Sequence, residues 1–208
     1  MPIHPFVGDS RRYYEVGSLY EPATHTLGML RPMLKLEVIH RHPRLPVCVR
    51  QFGYMYEDVA GIPASKTLSI PCVHVAETLA EKVLSLLRRC HRQWSGLQKE
   101  ETDPALVRHV YDVHRIMHEQ PQQLEAACGV FSSLVYGDAE EFKGHDAAFE
   151  NDPRKALSST LVQAKISEEL RANYLKRVLP LVIEGMEVDY PTAFASFEEA
   201  ARKLLEQL

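Results

Sequence analysis

Over roughly the first third of the chain apolar residues alternate with polar ones; from Glu77 to the C-terminus they recur at helical spacing instead. Arg12 to Tyr20 and Met33 to His40 carry β-branched or aromatic residues with partial alternation. Leu68 to Val75 closes on Val-His-Val, and Pro and Gly punctuate the gaps, so residues 1–75 predict strands. Thr78 followed by Glu81 matches a capping box, and Leu79, Val83, Leu86 or Leu87 and Cys90 then form the apolar stripe of a helix. Residues 91–102 are polar, contain Gly96 and predict a loop. Asp103-Pro104 is an N-cap with proline at the first helical position, opening a helix through Leu106, Val110, Val113 and Met117. Pro121 opens another, with Leu124, Ala127, Cys128 and Phe131, ending near Gly137. Residues 138–155 predict a surface connection, and a helix over 167–185 is kinked or split by Pro180. Ser196 with Glu199 suggests a second capping box, before a closing helix whose inner face is Phe197, Ala201, Leu204 and Leu208. Strands first and helices afterwards predict an α+β fold, β-rich over 1–76 and helical over 77–208.

Composition narrows this picture. A chain of 208 residues can bury a substantial core, and a net charge of -4 provides no global field for nucleic acid, which would need a local basic patch. The four cysteines, Cys48, Cys72, Cys90 and Cys128, form no Cys-x-x-Cys pair and suggest reduced thiols rather than a zinc ribbon. No segment has the length of apolar sequence a membrane span needs and no leader is evident, so the expectation is a cytoplasmic protein with no membrane partner.

Three segments carry candidate chemistry. On the strand at 33–40, Lys35, Glu37 and Ile39 share one face while Leu36, Val38, His40 and His42 take the other. Glu37 could bind Mg²⁺ or accept a proton; it could equally pair with Lys35 or Arg31. Lys82, early in its helix and off the apolar stripe, could neutralise charge on a phosphate, helped by free backbone N–H groups at the helix start, or simply be solvated beside Glu81. Asp112, with Tyr111 beside it, could line a cleft, or pair locally with Arg108 and Arg115. His114 and His118 have the i, i+4 spacing of a zinc-binding helix but bring no third ligand, and His40-x-His42 is equally bare. Arg88, Arg89, His91, Arg92, Trp94 and Lys99 could touch RNA phosphates, although such a run more often ends a helix in solvent.

Taken in order, Arg-Pro-Met-Leu-Lys-Leu-Glu at 31–37, Glu-Thr-Leu-Ala-Glu-Lys-Val-Leu at 77–84, Arg-His-Val-Tyr-Asp-Val-His-Arg at 108–115 and the tail containing Leu-Arg-Ala-Asn-Tyr and Phe-Ala-Ser-Phe-Glu-Glu resemble the AbiEii/AbiGii nucleotidyltransferase toxins of type IV toxin–antitoxin pairs. The resemblance implies a partial polymerase-β-like nucleotidyltransferase sheet followed by a C-terminal helical bundle, and Mg²⁺-dependent transfer from an NTP, with tRNA as an acceptor. It assigns Glu37 as the third acid of the metal set, Lys82 as the nucleotide-contacting lysine, Asp112 as the acid of the helical motif and Arg89 as a phosphate contact. Family members place a Gly-Ser turn and an Asp-x-Asp pair ahead of this strand; here Gly17-Ser18 is followed only by Glu21 before Glu37. The expectation is therefore a member lacking its leading segment, weak or inactive alone. The alternative is a non-catalytic module that binds nucleotide, a cognate antitoxin, or another chain covering an exposed sheet edge.

Overall fold

The structure, a computed structural model, describes residues 3–7, 13–19, 33–97 and 103–208. The chain divides into two compact units, Met1–Pro43 and Arg44–Leu208, and the described elements are mixed, all strands falling before residue 73 and all but one short helix after it, in agreement with the α+β expectation.

In the first unit β1 (Ile3–Val7), β2 (Tyr13–Leu19) and β3 (Met33–Ile39) form an antiparallel sheet in that order. The alternation read from the sequence holds on β3: Leu34, Leu36 and Val38 stand exposed on one face, and Lys35 and Glu37 lie on the other. Gly17 sits inside β2 opposite Lys35, where an added Cβ would run into the Met33 side chain, so Gly17-Ser18 is ordinary strand. Residues 20–32, which include Glu21, lie outside the described residues.

The second unit opens with a hairpin, β4 (Cys48–Phe52) and β5 (Leu68–Cys72), interrupted by a short helix α1 (Met55–Ala60). Glu57 of α1 is buried, and its carboxylate accepts hydrogen bonds from the Ser65 N–H and hydroxyl, which hold it below its ordinary carboxylate range. Alternation in 68–72 revealed β5; β4 and α1 carried no comparable signal.

Helix α2 (Val75–Trp94) is the axis of this unit. The predicted stripe is buried as expected, and Ala76, Ala80 and Leu84 join it, because α2 packs between α3 (Arg108–Glu119), α4 (Gln123–Glu141) and α6 (Pro153–Lys165). Its start differs from the expected capping box. His74 is the N-cap, its ring accepting from the Ala76 N–H at 3.2 Å, and Thr78 already donates its backbone N–H to the His74 carbonyl. Glu77 is buried and accepts from the backbone N–H groups of Arg44 and Leu45 at 2.9 Å, tying the segment that leads into β4 against α2. The helix also continues through Arg92 and Trp94, where the sequence suggested a loop; residues 98–102 are outside the described set.

Asp103 caps a 3₁₀ turn, Pro104–Val107, that feeds α3, as its Asp-Pro signature predicts. Residues 138–155 are not a surface connection. They contain the end of α4, the short α5 (Ala147–Asn151) and the start of α6, and they bury Asp138, Asp146 and Phe149. The expected long helix resolves into α7 (Glu168–Arg177) and a 3₁₀ turn at Leu179–Leu181, the break falling where Pro180 cannot donate. The closing helix α8 (Tyr190–Leu205) starts earlier than Ser196: Asp189 caps it by accepting from the Thr192 N–H at 2.7 Å. Phe197, Ala201 and Leu204 face the core as predicted, and Tyr174, Tyr190, Phe194 and Phe197 form a chain of ring contacts 5.3 to 5.7 Å apart.

Candidate nucleotide site

Helices α2 and α3 pack side by side, so residues off their core stripes meet along the seam between them. Lys82 lies in the third turn of α2 and Asp112 in the second turn of α3, and the Lys82 ammonium meets the Asp112 carboxylate at 2.6 Å. Both side chains are partly open, 25% and 34% exposed, so the pair can be approached from solvent. The local partners expected for Asp112 are engaged elsewhere: Arg108 bonds Asp103 and the Ala105 carbonyl, and Arg115 pairs with Glu119. Two sequence candidates thirty residues apart are thus brought into contact. Lys82 is too far into α2 for the free N–H groups of the helix start to assist it, which corrects that expectation.

His109, one turn before Asp112, completes the local electrostatics. It falls at helical spacing from Leu106 and Val113, and its half-buried ring reaches the Lys82 backbone on α2. Burial, reinforced by the charges of Lys82, Arg108 and Arg89, pushes its pKa down to about 3, so the imidazole is neutral near pH 7. Its Nδ1 is buried with no hydrogen-bond partner among the described residues. Arg89, exposed two turns beyond Lys82 on α2, contributes to the same field. The charges of Lys82, Arg89 and Arg108 therefore act on a neutral histidine, with Lys82 held by Asp112 and Arg108 by Asp103.

Two of the other basic candidates on α2, Arg88 and His91, are occupied internally. Arg88 is buried, its guanidinium 2.6 Å from Asp138 and 4.2 Å above the centre of the Phe142 ring. His91 Nδ1 lies 2.8 Å from the buried Asp146. Trp94 packs against the core. Of the run from Arg88 to Trp94, Arg88, His91 and Trp94 are thus turned into the fold while Arg89 stays exposed; Lys99 lies outside the described residues. Sequence reasoning missed Glu77, His109 and both buried pairs. Only His109 had a signal, its spacing on the apolar face of α3.

Glu37 belongs to the first unit. On β3 it stands opposite Glu15, and Lys35 bridges both carboxylates at 2.6 and 2.7 Å, the pairing recognised as its alternative. His114 is buried and bonds Ser196 at 2.9 Å, its ring 6.0 Å from that of His118. Among the described residues no group of three or more His, Cys, Asp or Glu could hold a metal ion, so the third zinc ligand missing beside His114 and His118 is not supplied.

The family model of the nucleotidyl transferase AbiEii toxin of type IV toxin–antitoxin systems matches residues 7–203, and the chain belongs to that family. No curated protein and no solved structure matches it. The family is one of nucleotidyltransferases, which generally use a divalent metal, and its toxin–antitoxin setting implies an antitoxin partner. Among the described residues no helix is long and apolar enough to cross a membrane.

Proposed function

We propose that this chain binds a nucleoside triphosphate along the α2–α3 seam, with Lys82 and Arg89 on its phosphates, and takes part in nucleotidyl transfer to an RNA acceptor of the tRNA class in the cytoplasm. The observation that carries this reading is the Lys82–Asp112 contact at 2.6 Å, joining two family segments in a partly open, cation-rich seam. In this reading residues 1–76 belong to the nucleotidyltransferase core and 77–208 are the helical domain that presents the site. The Lys82 ammonium offsets charge on the triphosphate and on the departing pyrophosphate. Asp112 holds that ammonium in the seam, and neutral His109 lets the cations act without a competing buried charge. Mg²⁺ enters as the substrate's counter-ion, since no group of three or more His, Cys, Asp or Glu gathers among the described residues. In this reading Glu37, engaged by Lys35, is not free to act as the third acid, and transfer by the chain alone is weak.

The test is calorimetric titration of each Mg·NTP into the wild-type chain and Lys82→Ala, with labelled-NTP transfer to tRNA run in parallel. The reading expects at least one NTP to bind and the variant to weaken it by about tenfold or more, the value of one lost charge-assisted contact. Equal binding by the two proteins contradicts it, and robust transfer abolished by Glu37→Ala would show that Glu37 leaves Lys35 to act.

A second reading, a non-catalytic module for an antitoxin or another partner chain, is favoured by one observation. Phe52, Leu68 and Ile70, on one face of the β4–β5 hairpin, are each more than 40% exposed. Light scattering and the transfer assay distinguish it: a clean monomer counts against a covered face, and labelled-NTP transfer to tRNA separates the first reading from a non-catalytic nucleotide-binding module.

A further inference from the structure

In the β4–β5 hairpin Cys48 and Cys72 are direct partners across the antiparallel pair, the end of the ladder nearest α2. Residues opposite one another in such a pair project to the same face with Cα atoms about 4.5 or 5.5 Å apart, depending on the hydrogen-bonding site, and both values fall within the span a disulfide bridges. Both thiols are free and half-buried, within reach of small reagents. The other two cysteines are poorly placed to compete. Cys90 is buried in the α2 core with its thiol pushed up to about 12, and Cys128 on α4 is raised by burial and by the carboxylates of Glu206 and Glu125.

We propose that Cys48 and Cys72 form a reversible cross-strand disulfide, a redox modification site that staples the hairpin. The oxidant is a small-molecule disulfide. One cysteine thiolate attacks it, forming a mixed disulfide and expelling one small thiolate; the second cysteine then attacks the protein sulfur of that mixed disulfide and expels the other. Two protein thiols and one small disulfide become one protein disulfide and two small thiols. The two electrons pass from the cysteine sulfurs to the oxidant, and the two protons end on the released thiols. The staple matters here because an isolated two-stranded ribbon is marginal by itself, and this one exposes Phe52, Leu68 and Ile70. Cys72 is also only two residues before His74, the cap of α2, so the oxidation state is expressed at the entrance of the helix that bears Lys82. The site does not depend on the nucleotide reading.

The full-length chain is incubated with glutathione disulfide, alkylated, digested with trypsin and mapped without reduction. Cleavage after Arg50 and Lys66 places the cysteines on separate peptides, 45–50 and 67–82, which remain joined only by a disulfide. The expected result is that joined pair, the intact chain lighter by two hydrogens, and return to free thiols with dithiothreitol. Cys48→Ser should instead leave Cys72 carrying one glutathione. Glutathione on both cysteines of the wild type without a joined pair, or Cys72 linked to Cys128 or to a second chain, would overturn the proposal.

Discussion

Toward its C-terminus helix α2 sends Arg88 and His91 into the interior, while earlier on the same helix Lys82 meets Asp112 at the surface. Arg88 and Asp138 are 11% and 8% exposed, and the pair is capped by Phe142; Lys82 and Asp112 are 25% and 34% exposed. A buried charge requires its partner, because losing it leaves an ion with neither water nor counter-charge. An open pair needs its partner far less for stability, since water screens both ends. Ion pairs along one helix thus divide by solvent access into those that hold the fold and the one available to a ligand.

The largest effect expected to sharpen this contrast is at Asp138. Replacement by alanine strands Arg88, and urea unfolding should show a loss of about 3–5 kcal/mol. Next is the acid response of His109. Its folded-state pKa of about 3 lies below the unfolded value, so its contribution is fully present above about pH 6.5 and is lost as pH falls toward 3, where the unfolded chain binds the extra proton. Thermal unfolding across that window should lose a few kcal/mol at most in the wild type, with a shallower slope in His109→Gln; an unchanged slope would place the ring in water. Phe142→Leu keeps bulk but removes the ring beneath Arg88, and should cost about 1 kcal/mol. Asp112→Asn should be the smallest, within about 1 kcal/mol of wild type; a loss matching Asp138→Ala would collapse the distinction.

The same contrast explains what could be read from the sequence. The apolar stripe Leu79, Val83, Leu86, Leu87 and Cys90 fixed α2, and Asp103-Pro104 fixed the start of α3, because both signals are local. Residues 88–94 and 138–155 are each polar enough to suggest solvent, yet Arg88 pairs with Asp138 and His91 with Asp146, so each segment hides the reason for the other's burial. Asp152-Pro153 repeats the Asp-Pro opening and marks the start of α6 inside that polar segment. Lys82 and Asp112 were singled out by family resemblance, and their contact depends on α2–α3 packing that neither segment encodes alone. His109 was missed because its neutrality comes from burial beside Lys82 and Arg89, charges on a different helix.

The most direct test of the division between structural and available pairs uses Lys82→Ala, with unfolding free energy and Mg·NTP affinity measured on the same preparation. The account predicts a stability change within about 1 kcal/mol of wild type together with at least a tenfold loss of nucleotide affinity. Unchanged affinity alongside a large stability loss would contradict it, making Lys82–Asp112 one more strut of the helical core.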